Sequence, residues 1–261
     1  MLNRLLAPTR ALAIAHRGGS TLRPENTMAA FDHAAALGVD ALECDVRLSK
    51  DDVPVVIHDS TLDRTTDRTG PVAALTADEL ARVDAGWHFG PEAGYPHRGR
   101  GYGVPRLVDL LARHPTLPFI IEIKSDAADL VVPVFEAVDR AGAVDRVIIG
   151  AFSQAVLDRV RRHTPRVPTS ASRAEIASAL RRTRFGLRPK RGAYDLVQAP
   201  YYFRGRRIFG RRFVTSFVCA GLPVQAWIVD EESDMRTLID WGVTGIISDR
   251  PDRAVQVVNS V

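Results

Sequence analysis

From Ala41 to Val46 the chain alternates apolar and acidic positions, Leu42, Cys44 and Val46 against Glu43 and Asp45. That period of two places successive side chains on opposite faces of a β-strand. The apolar set asks for cover by helices. The acidic set then faces inward, where two carboxylates do not both stay ionised without a cation or a proton between them. A second apolar run, Val53–Ile57, predicts a short strand that delivers His58 and Asp59 at its end. An exposed edge strand with a solvated acidic face is the plainer alternative, but Val55-Val56-Ile57 and the Leu/Cys/Val set both call for burial.

The same reading predicts strands at Leu12–Ala15, Phe119–Lys124, Arg146–Ala151, Val167–Ala171, Leu196–Ala199, Val224–Val229 and Thr244–Ser248. Helical periodicity falls between them, at Glu25–Leu37 (introduced by Pro24), Pro105–His114, Leu130–Ala141, Gln154–His163, Arg173–Thr183, Arg212–Ala220, Glu232–Trp241 and after Pro251. Strands alternating with helices imply an α/β fold with a parallel sheet. Eight such repeats in one domain of this length favour a (β/α)8 barrel, with Val53–Ile57 as an excursion. Residues 59–104 break the alternation. They hold a capping box at Thr76 and Glu79 and a run of glycines among Trp87, Phe89, Tyr95 and Tyr102, and read as an insertion after the second strand that covers the site opening as a lid.

Composition changes this picture little. The 261 residues are 46% hydrophobic and 25% charged, ordinary for a globular chain with a sizeable core, and no apolar run approaches a membrane span. The net charge of +4 comes almost wholly from arginine, scattered apart from two groupings at Arg181–Arg191 and Arg204–Arg212. A solvated surface explains most of these, so no nucleic-acid partner is expected, while the groupings leave room for peripheral contact with lipid. Two cysteines, Cys44 and Cys219, one mid-strand and one in a helix, fit a reduced cytoplasmic setting; no signal peptide is apparent ahead of His16. Oligomeric state is not legible.

In a (β/α)8 barrel the reactive groups stand where strands end and helices begin. His16, Glu43, Asp45, Glu122, Lys124, Gln198 and Trp227 all fall there. Three carboxylates without cysteine suit Mg2+ or Ca2+, with Mn2+ an option. His16 and His58 either complete a transition-metal site or flank the metal as general acid and base. Arg17 and Lys124 add positive charge, and the set suits a phosphodiester. Asp59 is read as orienting His58. Gln198 and Trp227 are candidate substrate contacts, and His33, His88, His97, His114 and His163 are read as surface or loop residues.

The motifs HRGGS (His16–Ser20), PENT (Pro24–Thr27), ECDVRLSKDDVPVVIHDSTLDRTT (Glu43–Thr66), IEIK (Ile121–Lys124), QAWIVD (Gln225–Asp230) and GVTGIISDRPD (Gly242–Asp252) together resemble the glycerophosphodiester phosphodiesterases. The resemblance runs in order over nearly the whole chain. It implies a TIM barrel and metal-dependent hydrolysis of a small glycerophosphodiester to glycerol phosphate and an alcohol. By position it makes Glu43, Asp45 and Glu122 metal ligands, His16 and His58 the acid/base pair, and Arg17 and Lys124 phosphate contacts. Cys44 stands where the family often has leucine, and Ile228 where threonine is commoner. Two other readings stay open: a lysophospholipase D-like enzyme, with Tyr201, Tyr202, Phe203 and Phe209 holding an acyl chain, and a non-catalytic phosphate- or lipid-binding barrel.

Overall fold

A computed structural model describes residues 5–124, 128–189 and 192–261. Lys190 and Arg191, in the first arginine grouping, lie outside the described residues. In chain order the sheet elements are β1 (Leu12–Ala15), β2 (Ala41–Leu48), β3 (Pro54–Val56), β4 (Phe119–Ile123), β5 (Val147–Gly150), β6 (Val197–Pro200), β7 (Tyr202–Phe203), β8 (Arg206–Arg207), β9 (Val224–Trp227) and β10 (Gly245–Ser248). The helices are α1 (Met28–Ala36), α2 (Ala77–Leu80), α3 (Leu107–Arg113), α4 (Val131–Arg140), α5 (Gln154–His163), α6 (Arg173–Arg184), α7 (Arg211–Val218), α8 (Glu232–Asp240) and α9 (Pro251–Val258). Among the described residues no helix is long and apolar enough to cross a membrane.

Seven strands pair in parallel in the order β5-β4-β2-β1-β10-β9-β6, and β3 folds back antiparallel on β2. The predicted fifth barrel strand is present only as single bridges, Ile149 to Thr169 and Ser170 to Leu196. Backbone bonds from Ser170 N–H to Ile149 (2.9 Å) and from Ala171 N–H to Leu196 (2.9 Å) still join the two sheet edges through it, so the TIM barrel closes. The segment is short because Pro168 stands inside it, with Pro165 just before, and proline donates nothing to a ladder.

Alternation sorts the strand residues into layers. Leu42, Cys44 and Val46 of β2 and Phe119, Ile121 and Ile123 of β4 point outward, into a core shared with Phe31, Leu107, Val134 and Leu157. Leu12, Ile14, Ala41, Ile120, Ile148 and Ile247 fill the interior. Above that apolar plug, on the same inward faces, come Glu43, Asp45 and Glu122. The register pairs Asp45 directly with Glu122 and Glu43 with Ile120.

The first predicted helix starts later than expected. Thr27, not Pro24, caps it, its hydroxyl accepting the Ala30 N–H. His114, expected at the surface, is buried beside Phe119, its Nε2 3.3 Å from Asp32. Nearby, Arg146 is buried and donates to the carbonyls of Leu111 (2.7 Å), Leu117 (3.0 Å) and His114 (3.1 Å), tying the end of α3 and the turn after it to the start of β5. Arg146→Ala leaves those acceptors dry and is expected to destabilise the fold by about 3 kcal/mol, read from denaturant melts; an unchanged midpoint would show that water replaces the guanidinium.

Residues 59–104 form a small layer of their own. Leu62, Val72, Leu80 and Val104 pack on Val55 and Ile57, and the capping box at Thr76 and Glu79 is present on α2. Its aromatic residues engage one another more than the barrel. The Arg98 guanidinium lies 3.8 Å from the Tyr95 ring and 4.2 Å from the Trp87 ring, and His97 packs between Phe89 and Tyr102.

Candidate active site

The loop after β1 explains why the sequence there is His-Arg-Gly-Gly. Arg17, Gly18 and Gly19 all have positive φ (51°, 81° and 94°), a conformation glycine adopts without strain. A Cβ on Gly18 would sit 2.7 Å from that of Ala30 and 2.8 Å from its backbone, so only glycine lets the loop press onto α1. The tight turn aims Arg17 N–H at Glu43 Oε2 (3.0 Å) and the Arg17 guanidinium at Asp45 (Nε, 3.0 Å) and Glu25 (2.8 Å).

Glu43, Asp45 and Glu122 converge, each offering an oxygen within 4.8 Å of the others. Lys124 Nζ sits over them, 2.7 Å from Glu122 Oε1 and 3.2 Å from Asp45 Oδ1. Those same two oxygens are buried and accept no well-formed hydrogen bond. Burial, with the charge of Asp45 beside it, pushes the Glu43 carboxyl up to about 8. Asp45 goes the other way: burial would raise it, but Lys124, Arg17 and His58 outweigh that and hold it below the usual range. Three convergent acids, two of whose buried oxygens have only the Lys124 ammonium against them, and one carboxyl that resists ionisation are what a hard divalent cation would satisfy, so the residues fit the group.

The two histidines stand on different elements and are held alike. His16 Nδ1 lies 2.6 Å from Asp249 Oδ1, at the end of β10; its Nε2 turns toward Glu43, 3.9 Å away. His58 Nδ1 lies 2.6 Å from Asp59 Oδ1. In both rings a carboxylate holds Nδ1, so that Nε2 is the nitrogen left outside that pairing. Burial would lower the His16 pKa, but Glu43 and Asp249 more than offset it and raise it. At His58 burial prevails over Asp45 and Asp59, and the pKa falls.

Several members of the site were not singled out from the sequence. Asn26, read as a helix start, is buried with φ 58° and donates its amide to Asp45 Oδ2 (2.8 Å). Glu25 bridges Arg17 and, from the insertion, Arg64 (2.7 and 2.8 Å); Arg64 Nε also donates to Asp59 (2.6 Å). Burial would raise the Asp59 pKa, but the bonds from Arg64 and His58 prevail and hold it at about 2. A continuous chain of charges therefore runs from His58 through Asp59, Arg64, Glu25 and Arg17 to Asp45. Asp249 was detectable as an acid immediately after a barrel strand, and Phe152 as an aromatic just past another. Phe152 is 54% exposed, its ring 5.1 Å from Lys124 Nζ and 6.1 Å from Trp227. Gln198 lies inside the barrel mouth, donating to Gln225 (2.8 Å), and Trp227 stands two register positions further along β9. Of the four aromatics considered for an acyl chain, Tyr201 and Phe209 are buried in the outer core, and only Tyr202 and Phe203 are exposed.

Comparison with known proteins agrees with this geometry. Residues 16–253 match the family model described as the glycerophosphoryl diester phosphodiesterase family. A Mycobacterium tuberculosis protein described as a probable glycerophosphodiester phosphodiesterase 2 is 35% identical, over 92% of this chain and 88% of its own length. A glycerophosphodiester phosphodiesterase of Caldanaerobacter subterraneus is 33% identical over 95% of this chain and 98% of its own. The crystal structure of a glycerophosphoryl diester phosphodiesterase domain from another Mycobacterium tuberculosis protein superposes with a TM-score of 0.83 at 25% identity, covering 95% of this chain and 98% of that one. The chain belongs to the glycerophosphoryl diester phosphodiesterase family and is an enzyme of that class.

Proposed function

We propose that this enzyme hydrolyses small glycerophosphodiesters to sn-glycerol 3-phosphate and an alcohol, using one divalent cation held by Glu43, Asp45 and Glu122. The observation that carries the reading is the meeting, at one barrel mouth, of three convergent acids under a single lysine and two histidines each tethered through Nδ1. When bound, the cation supplies Lewis-acid stabilisation of charge on the phosphoryl oxygens. Arg17 and Lys124 bind the same phosphate. Of His16 and His58, one takes the proton from the attacking oxygen and the other returns one to the departing alkoxide oxygen. The attacking oxygen is that of water or of the glycerol 2-hydroxyl. Trp227 and Gln198 line the path for the rest of the substrate.

A screen of glycerophosphodiesters with Mg2+, Ca2+ and Mn2+ in turn tests the proposal. Release of glycerol phosphate only with metal supports it, and full turnover in chelator removes the cation from the mechanism. Lysophosphatidylcholine belongs in the same screen, because its leaving alcohol is also choline and the exposed Phe152 beside Lys124 offers an apolar surface to the acyl chain that stays on the glycerol.

Two further outcomes follow from the insertion. Arg64 positions His58 and Arg17 through Asp59 and Glu25, so Arg64→Ala is expected to lower kcat by about tenfold with little change in KM. Loss in KM alone would place Arg64 on the substrate instead. Thr65, Ala85 and Val104 line a cleft with His58. Shortening residues 87–101 should accordingly change relative rates among substrates more than metal affinity, and an unaltered substrate profile would remove the lid role.

A further inference from the structure

One segment carries more positive charge than the net charge of the whole chain. Between Asp195 and Asp230 there is no acid, and Arg204, Arg206, Arg207, Arg211 and Arg212 together exceed the net charge of +4. Among the described residues no carboxylate lies within ion-pair reach of Arg204, Arg206, Arg211 or Arg212. All five side chains are exposed.

The segment begins as a two-stranded hairpin, β7 and β8, with Phe203 paired to Arg206. Arg204 and Gly205 form its tip with φ of 50° and 73°, the left-handed pair that fits the twist of a two-residue hairpin loop. The ribbon is anchored. The Arg207 guanidinium lies over the rings of Tyr201 (5.3 Å) and Trp241 (5.7 Å), and Tyr201 N–H is bonded to the Trp227 carbonyl at 2.8 Å. Tyr202 packs edge-on against Tyr201, ring centroids 4.6 Å apart, yet it and Phe203 remain 44% and 51% exposed. The hairpin leaves the C-terminal end of β6, and β6 runs parallel to β9, so it rises from the same rim as Trp227 and the active site. With Phe152, three of the four exposed large aromatics among the described residues stand on that rim.

We propose that this hairpin docks the enzyme on an anionic lipid bilayer, Tyr202 and Phe203 entering the headgroup layer while Arg204 and Arg206 bind lipid phosphates. Aromatic side chains flanked by unpaired arginines match the two components of an interfacial site, apolar burial and attraction to anionic lipid. The barrel mouth then faces the bilayer. The docking does not depend on the metal or on either histidine.

The test uses the full chain and cosedimentation with vesicles of phosphatidylcholine, with and without phosphatidylglycerol, at low and high salt. The protein should bind only the anionic vesicles, and salt should release it. Arg204→Asn with Arg206→Gln, chosen because asparagine tolerates the left-handed tip, should lower partitioning by about 30-fold. Tyr202→Ser with Phe203→Ser should lower it by roughly tenfold. The arginine variant should melt as the parent does and the aromatic variant slightly lower, because Tyr202 packs on Tyr201; both should turn over glycerophosphocholine at the parent's rate, because neither pair touches the site. Equal binding to neutral vesicles, no binding to anionic ones, or unchanged binding by both variants would each overturn the proposal. So would tighter binding to single-stranded nucleic acid than to anionic vesicles.

Discussion

Asp45→Asn is expected to be the most damaging carboxylate substitution, lowering turnover on the order of 10³-fold and weakening the metal-free fold as well. Asp45 is wholly buried and faces two cations, Arg17 at 3.0 Å and Lys124 at 3.2 Å, while its other partner is the Asn26 amide at 2.8 Å. Removing its charge leaves both cations under-compensated in a buried setting, which costs about 3 kcal/mol. Glu43→Gln should separate the two effects. Glu43 accepts the Arg17 backbone N–H, and its only ion-pair neighbour among the described residues is His16 at 3.9 Å. A neutral amide there should change metal-free stability by less than about 1 kcal/mol while turnover falls as far. Calorimetry with and without Mg2+ or Ca2+ gives a readout independent of activity. The parent should gain stability as metal rises above its dissociation constant, and both variants should gain much less. A variant that keeps parental turnover at limiting metal, or the full metal-dependent rise in Tm, loses its place as a ligand; the same test applies to Glu122→Gln.

The parts of this site that could be read from the sequence are those whose signal is local. Alternation along Ala41–Val46 puts Glu43 and Asp45 on one face, and the structure keeps that division: acids inside, Leu42, Cys44 and Val46 in the outer core. Strand-end positions likewise bring His16, Lys124 and Trp227 to one rim. What escaped is what depends on distant partners. Asp249 meets His16 across 233 residues, and Arg64 meets Glu25 across 39. No spacing rule links such pairs. Glu25 and Asn26 were masked by a stronger local cue, since Pro24 before a run of alanines reads as a helix start. The chain instead spends those residues on a turn that aims one side chain at Arg17 and the other at Asp45. The fifth strand failed in the opposite sense: its place in the strand–helix alternation was right, but Pro168 inside it left only two bridges of ladder.

The two histidines carry the other large expected effect. His16→Ala and His58→Ala should each lose about 10²–10⁴-fold in turnover while still binding metal, because each removes one proton transfer and no ligand. The double variant should be little worse than either single one if the two act in the same step. Their tethers make a sharper forecast. Asp249 and Asp59 hold Nδ1 of His16 and His58 at 2.6 Å each, so Asp249→Asn should approach the loss seen on removing His16 by disturbing its tautomer and orientation. Asp59→Asn should do the same to His58, with a smaller loss because His58 is the more exposed ring. A p-nitrophenyl ester of glycerol phosphate then assigns the roles, since its leaving group departs without a proton. Only the variant lacking the general acid should recover on it, and its Asp partner should recover with it. Equal recovery of both histidine variants, or full activity of either on the natural diester, would mean that His16 and His58 do not share the proton transfers across the bond being broken.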